Sequence, residues 1–221
     1  MSAALHQFGR AALVEAWPLV TGSEATLPEL QIAGAIADHE SAYGTASFLN
    51  AQTGERIANT NNWGAVQAGH GPPCGPGTFE ATDSSPLKIT ADNPKGQYQT
   101  CFLRPATPAE GAMSFVKQVT LRRPSVWNAM KAGDIDETVR AMHDDRPIYF
   151  EGFGATGAIQ KEGYASALAK IVPEIASAMA EPRMAQRGGG VSDDTAGNIV
   201  AIGGGATLLY LAWRWWKGKR A

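Results

Sequence analysis

The residue with the clearest chemical potential is Glu40, a carboxylate at the end of an apolar run. Leu30, Ile32, Ala33, Ala35, Ile36 and Ala37 precede it almost without interruption, and Pro28 and Glu29 stand where a helix would begin. The pattern predicts a buried helix that runs out near Glu40, because Ser41, Tyr43 and Gly44 continue it poorly and Gly44 suits a left-handed C-terminal turn. A carboxylate in that place faces the negative end of the helix dipole and an apolar helix body, and both disfavour its ionised form. A raised pKa is what a general acid working near neutral pH requires. An arbitrary helix-end glutamate is a solvated surface group, so the residues around it must decide.

Other chemistries find less support. His39, His70, Cys74 and His143 are zinc-ligand types, but only His70 and Cys74 lie close in sequence and no pair has zincin spacing on a helix. No Gly-x-Ser-x-Gly elbow occurs, and neither cysteine sits in a papain-like context. No metal and no cofactor is expected.

Ala35-Ile-Ala-Asp-His-Glu-Ser-Ala-Tyr-Gly-Thr-Ala-Ser, followed by Asn61-Asn-Trp-Gly-Ala-Val-Gln67, resembles the N-acetylglucosaminidase family of bacterial autolysins, flagellar peptidoglycan hydrolases and phage lysins. The likeness continues through Phe102 and a helix from Pro108, and closes on Gly163-Tyr-Ala-Ser-Ala-Leu-Ala-Lys170; it covers roughly Leu5 to Ile175. It implies a lysozyme-like α+β fold, mostly α, with Glu40 in the catalytic acid position and Asn62, Trp63, Gly64 and Gln67 in a substrate-cleft loop. It further implies a small β-ribbon as one cleft wall, where a second carboxylate is expected. Glu80 and Asp83 are the candidates. They lie on opposite faces of a strand, so only one should face the cleft, and Glu80 is preferred. A distant base or the substrate's own N-acetyl group could replace such a partner. Trp63, Tyr149 and Phe150 offer flat faces for a sugar ring, with core packing as the ordinary alternative. Asn62 and Gln67 offer amides to N-acetyl groups, although loop amides more often build turns. The implied activity is cleavage of β-1,4 glycosidic bonds in peptidoglycan glycan strands, and N-acetylglucosaminidase, muramidase and lytic transglycosylase chemistry all remain open. The competing reading is a glycan-binding structural membrane protein of a virion or envelope, which would need no acid at position 40.

The elements that must position these residues follow from periodicity. Leu5, Phe8, Ala12, Leu13 and Trp17 predict a first helix closed by Pro18. Residues 50–62 have neither helical nor strand period and predict a loop, and His70 to Gly77 is turn chemistry throughout. Thr78 to Asp83 and Gln97 to Leu103 read as two short strands of an antiparallel ribbon. Thr107-Pro-Ala-Glu110 is a capping box opening a helix with Ala112, Met113, Val116 and Val119 on one face. Pro124 begins a short helix stopped by Gly133, Asp134 leads another through Ile135, Val139 and Met142, and an aromatic loop over 148–154 follows. Ile159 to Val172 predicts the last helix, with Tyr164, Leu168 and Ile171 inward.

Length and charge bound the rest. The chain has 221 residues, 44% hydrophobic, which suits one domain of about 180 residues plus appendages. A formal charge of −2, with no basic stripe before the last few residues, argues against nucleic acid as a partner. The first ten residues lack the basic start and apolar core of a signal peptide. The two cysteines, Cys74 and Cys101, fall in the least helical stretch, where a disulfide is favoured over two buried thiols. Residues 181–198 read as a flexible linker, 199–216 as a single transmembrane anchor with an aromatic belt, and 217–221 as a basic tail. Gly203 to Gly205 suggest self-association of that anchor, and the whole arrangement suits a virion membrane or host envelope, with other virion proteins as neighbours and the catalytic domain facing the wall.

Overall fold

A computed structural model describes residues 3–84, 90–144 and 157–180. All of them belong to the first of the chain's two units, Met1–Pro182. The elements are helices α1 (Ala3–Thr21) and α2 (Leu27–Ser41), short strands β1 (Phe48–Leu49) and β2 (Arg56–Ile57), strands β3 (Thr78–Ser84) and β4 (Gln97–Leu103), and helices α3 (Pro108–Val119), α4 (Pro124–Ala132), α5 (Ile135–Asp144) and α6 (Gly157–Ala180). The described part is mostly helical with small antiparallel sheets.

Helix α2 is the centre of the helical part. It is apolar on nearly every side, as a core helix must be, and it touches α1, α3, α4 and α6. Ile32 and Ile36 join Leu13 and Trp17 of α1, Phe115 and Val116 of α3, Met130 of α4, Met142 of α5 and Leu168 of α6 in one buried cluster. The start of α2 is held by Glu29, whose side chain is 2% exposed. One of its oxygens accepts the Thr26 backbone N–H at 2.6 Å and the other accepts the Trp127 indole N–H at 2.6 Å. A buried carboxylate is tolerable when both its oxygens are satisfied in this way, and here it ties α4 to the foot of the central helix.

Three boundaries differ from the sequence expectation. Helix α1 does not close at Pro18 but runs through it to Thr21. Proline removes a single backbone bond, and the fully buried Trp17 and Leu13 hold the helix past it, with the Gly22 N–H donating to the Pro18 carbonyl at 3.0 Å. Helix α6 likewise passes Pro173, because Leu168 and Ile175 on either side of it are both in the core. The expected loop over 50–62 contains β2, which pairs with β1 in the register Phe48↔Ile57 and Leu49↔Arg56. Strands of two residues are too short to show a period.

The main ribbon pairs β3 with β4 in the register Glu80↔Cys101 and Asp83↔Tyr98. The segment at Val66 to His70 lies along the other edge of β4, through Leu103 N–H to the Val66 carbonyl, Ala68 N–H to the Cys101 carbonyl and Cys101 N–H to the His70 carbonyl. A disulfide between Cys74 and Cys101 secures the connection from that segment to β3. Phe79 and Phe102 stack at 5.7 Å and meet Phe48 edge-on and tilted, forming a second, smaller core. Among the described residues, no helix is long and apolar enough to cross a membrane. The expected linker, anchor and basic tail, 181–221, lie outside the described residues.

Candidate active site

Glu40 is the last residue but one of α2. Beyond Ser41 the chain turns through Ala42 (φ 48), Tyr43 (φ 56) and Gly44 (φ 79), so the left-handed exit begins at Ala42 rather than at the expected Gly44. That turn caps the helix, with the Ala42 N–H on the Asp38 carbonyl and the Tyr43 N–H on the Ala37 carbonyl. Glu40 keeps part of its surface open while protein surrounds its carboxyl group. Tyr164 of α6 donates its hydroxyl to Glu40 Oε1 at 2.5 Å. Burial is the main cause that pushes the Glu40 pKa from 4.5 up to about 7; the Tyr164 hydrogen bond pulls it down, and the negative charge of Asp83 pushes it further up. His39 meets the Tyr164 ring edge-on at 4.8 Å, and its own pKa is lowered by burial, so it stands neutral beside the acid at pH 7.

The ribbon supplies a carboxylate to this site, and it is not the preferred one. Strand pairing puts Asp83 on the face of Tyr98, and Asp83 is the ribbon carboxylate whose charge acts on Glu40. Glu80 is on the opposite face, with Oε1 3.5 Å from Asn50 Nδ2. The alternation expected of a strand therefore holds, but the face directed at the helix end is the other one. The alternation did carry the choice, because Phe79 and Ala81 share the Asp83 face and are buried, whereas Glu80 lies with Thr78 and Thr82.

The cleft-loop residues mostly serve as framework. Trp63 is 1% exposed, packed between Tyr43 at 5.3 Å and Phe8 at 5.9 Å, so it offers no face to a sugar. Asn62 is 2% exposed and spends its amide on the loop itself, donating to the Val66 carbonyl at 3.0 Å and accepting the Val66 N–H at 2.7 Å. Both residues depart from the expected contact with substrate. Gly64 is buried beside them. Gln67 is exposed, and its amide nitrogen donates to Asp83 Oδ2 at 2.5 Å and to the Tyr98 hydroxyl at 3.1 Å. Tyr149 and Phe150 lie outside the described residues.

Two side chains at the site were not anticipated in these roles. Tyr164 reads as an inward core residue by helical spacing, and only its place in the Gly163-Tyr-Ala segment hinted at more. Tyr98 had no distinguishing signal. Among the described residues no cluster of His, Cys, Asp and Glu could hold a metal ion. What the arrangement brings together is a carboxyl group that titrates near neutral pH, a tyrosine that orients it and a ribbon carboxylate whose charge acts on it. Such a set can donate a proton to a leaving oxygen and stabilise positive charge opposite.

No family model matches the chain. No curated protein matches it either. Among solved structures it is similar to a C-terminally truncated glycoside hydrolase domain of FlgJ from Salmonella typhimurium, at 18% identity and a TM-score of 0.43, covering 78% of this chain and 98% of that one. It is also similar to the catalytic domain of the autolysin Auto from Listeria monocytogenes, at 13% identity and a TM-score of 0.42, covering 81% and 89%. These are proteins of the kinds the sequence resembles, but likenesses this distant carry no weight for the function.

Proposed function

We propose that the protein is a peptidoglycan hydrolase that cuts β-1,4 bonds between amino sugars, with Glu40 as its general acid. The observation that carries this reading is the helix-end carboxyl group itself: partly open, poised near pH 7, held by Tyr164 and facing the charge of Asp83. Glu40 gives its proton to the glycosidic oxygen as the bond from the anomeric carbon breaks, and Asp83 stabilises the positive charge that develops on the sugar ring. Water then takes the anomeric carbon and loses a proton, which restores Glu40. The lysozyme-like assignment agrees with a mostly helical domain carrying a ribbon. Residues 199–216 serve, in this proposal, as a membrane anchor that holds the domain near the wall of a host cell or on a virion; the uncharged run Asn198 to Trp213 and the aromatic and basic residues after it support that.

The test is digestion of purified sacculi by the full chain and by Glu40→Gln, with mass spectrometry of the products. The proposal expects soluble muropeptides from the wild type alone, and their ends identify the bond: a reducing N-acetylglucosamine, a reducing muramic acid or a 1,6-anhydro end. Equal release by both proteins, or by neither, refutes it.

A further inference from the structure

We propose that Gln67 and Tyr98 are positioning residues that clamp the Asp83 carboxylate in its place opposite Glu40. This rests on the reading of Asp83 as the partner of the acid. The geometry is a closed triangle of three side chains. Gln67 Nε2 lies 2.5 Å from Asp83 Oδ2 and 3.1 Å from Tyr98 Oη, and Tyr98 Oη lies 3.4 Å from the same Asp83 oxygen. A carboxylate only accepts, so the end of Gln67 that faces it is the NH₂ group, whose two donors are both engaged by Asp83 and Tyr98.

The three residues come from three separate stretches of backbone. Asp83 and Tyr98 are direct cross-strand partners, whereas Gln67 arrives along the other edge of β4, where it bridges to Phe102. Tyr98 and Asp83 are half-buried and Gln67 is exposed. An exposed glutamine ordinarily samples many rotamers, and an aspartate near a strand end swings freely; here each fixes the other. The consequence is electrostatic. A charge that stabilises a transition state does so most when it needs no reorganisation as the reaction proceeds, and a clamped Asp83 meets that condition. It also explains why Gln67, expected to bind an N-acetyl group, has its donors turned into the ribbon instead.

The test is a double-mutant cycle on the full chain, using soluble glycan strands released from amidase-treated sacculi as substrate. Gln67→Leu, Tyr98→Phe and Asp83→Asn are measured singly, and each clamp substitution is then combined with Asp83→Asn. The clamp expects Gln67→Leu and Tyr98→Phe to lower kcat by about tenfold, a coupling of the usual size for contacting residues, with KM little changed. It expects the basic limb of the pH profile, set by the proton of Glu40, to move to lower pH in both, in the direction Asp83→Asn moves it. In the Asp83→Asn background neither substitution should have a further effect beyond about twofold. Full additivity with Asp83→Asn, or a raised KM with kcat and the limb unchanged, overturns the clamp and makes Gln67 a substrate contact. A wild-type rate and profile for Asp83→Asn overturns the role of Asp83 itself, separately from the clamp. Thermal melting and an intact disulfide mass verify each fold, and if Gln67→Leu does not fold, Tyr98→Phe, which removes one oxygen, decides alone.

Discussion

Replacing Glu40 by glutamine separates the acid's chemistry from its cost to the fold. The amide keeps the shape of the side chain and can still accept the Tyr164 hydroxyl at Oε1. It cannot donate a proton, and loss of a general acid typically lowers the rate by about 10²–10⁴-fold. Stability should move the other way. The folded pKa of about 7 lies above the ordinary 4.5, so below pH 4.5 both folded and unfolded chains hold the proton and the substitution is neutral. As pH rises, the unfolded chain ionises freely while the folded one resists, and the wild type loses stability until the folded group also ionises. At about 1.4 kcal/mol per pK unit the full difference is about 3 kcal/mol. Glu40 keeps some contact with solvent, which screens part of this and leaves about 1–2 kcal/mol. Thermal unfolding at pH 4 and pH 8 measures it: Glu40→Gln should melt with the wild type at pH 4 and above it by several degrees at pH 8. A pH-independent difference, or a lower melting point for the variant at pH 8, would show an ordinary solvated carboxylate. The case for a general acid would then fail, and residual activity above a tenth of wild type would end it independently.

Tyr164→Phe removes the hydrogen bond that favours ionised Glu40, so the basic limb of the pH profile should move above about 7 while the rate falls; an unmoved limb means that the hydroxyl does not act on the acid. Asp83→Asn should cost more activity than Glu80→Gln, because only Asp83 acts on Glu40; the reverse order in lysis of sacculi would return the role to Glu80. Reduction of Cys74–Cys101 frees the connection between the Val66 to His70 segment and β3, and in the chain-entropy model a closed loop of this length contributes about 3–4 kcal/mol; a melting point unchanged by reductant contradicts that. Truncation after Ala180 should leave a folded, active domain that no longer fractionates with membranes, whereas a destabilised truncated domain would mean that the tail packs on it.

How much of this was legible depended on whether a residue's role is set locally. The α2 helix, its end beside Glu40, the capped start of α3, where the Thr107 hydroxyl accepts the Glu110 N–H at 3.2 Å, and the β3–β4 ribbon all follow from neighbours within a few positions. The prolines at 18 and 173 misled because the packing of Trp17 and of Leu168 with Ile175 outweighs one missing hydrogen bond. The choice between Glu80 and Asp83 was legible in the alternation but missed, since Phe79 and Ala81, the apolar residues of the strand, share the Asp83 face. The donor to Glu40 lies 124 residues away, and its place in the Gly163-Tyr-Ala segment alone marks that tyrosine.

The motif residues beside Glu40 hold the backbone that carries it. The turn after Glu40 places Ala42 and Tyr43, neither of them glycine, in left-handed conformations, and residues so held persist only where the surroundings over-determine them. The surroundings are the Asn61 to Trp63 loop. Ser41 Oγ donates to the Trp63 carbonyl at 2.7 Å and accepts the Gly44 N–H at 3.0 Å, while the Asn61 N–H reaches the Gly44 carbonyl at 3.2 Å. The loop lies so close that a Cβ at Gly44 would sit 2.8 Å from Asn61 backbone, and one at Gly111 of α3 would sit 2.0 Å from the Asn61 carbonyl oxygen. The loop is thus pressed between the turn and α3, and Trp63 is buried beneath it against Tyr43. An asparagine and a tryptophan near an acid invite a reading as sugar ligands, but here the Asn62 amide ties its own loop together and the Trp63 ring packs on Tyr43 of the turn from which the acid projects. In the proposed hydrolase, that leaves Glu40 itself and the ribbon face of Asp83 to meet substrate.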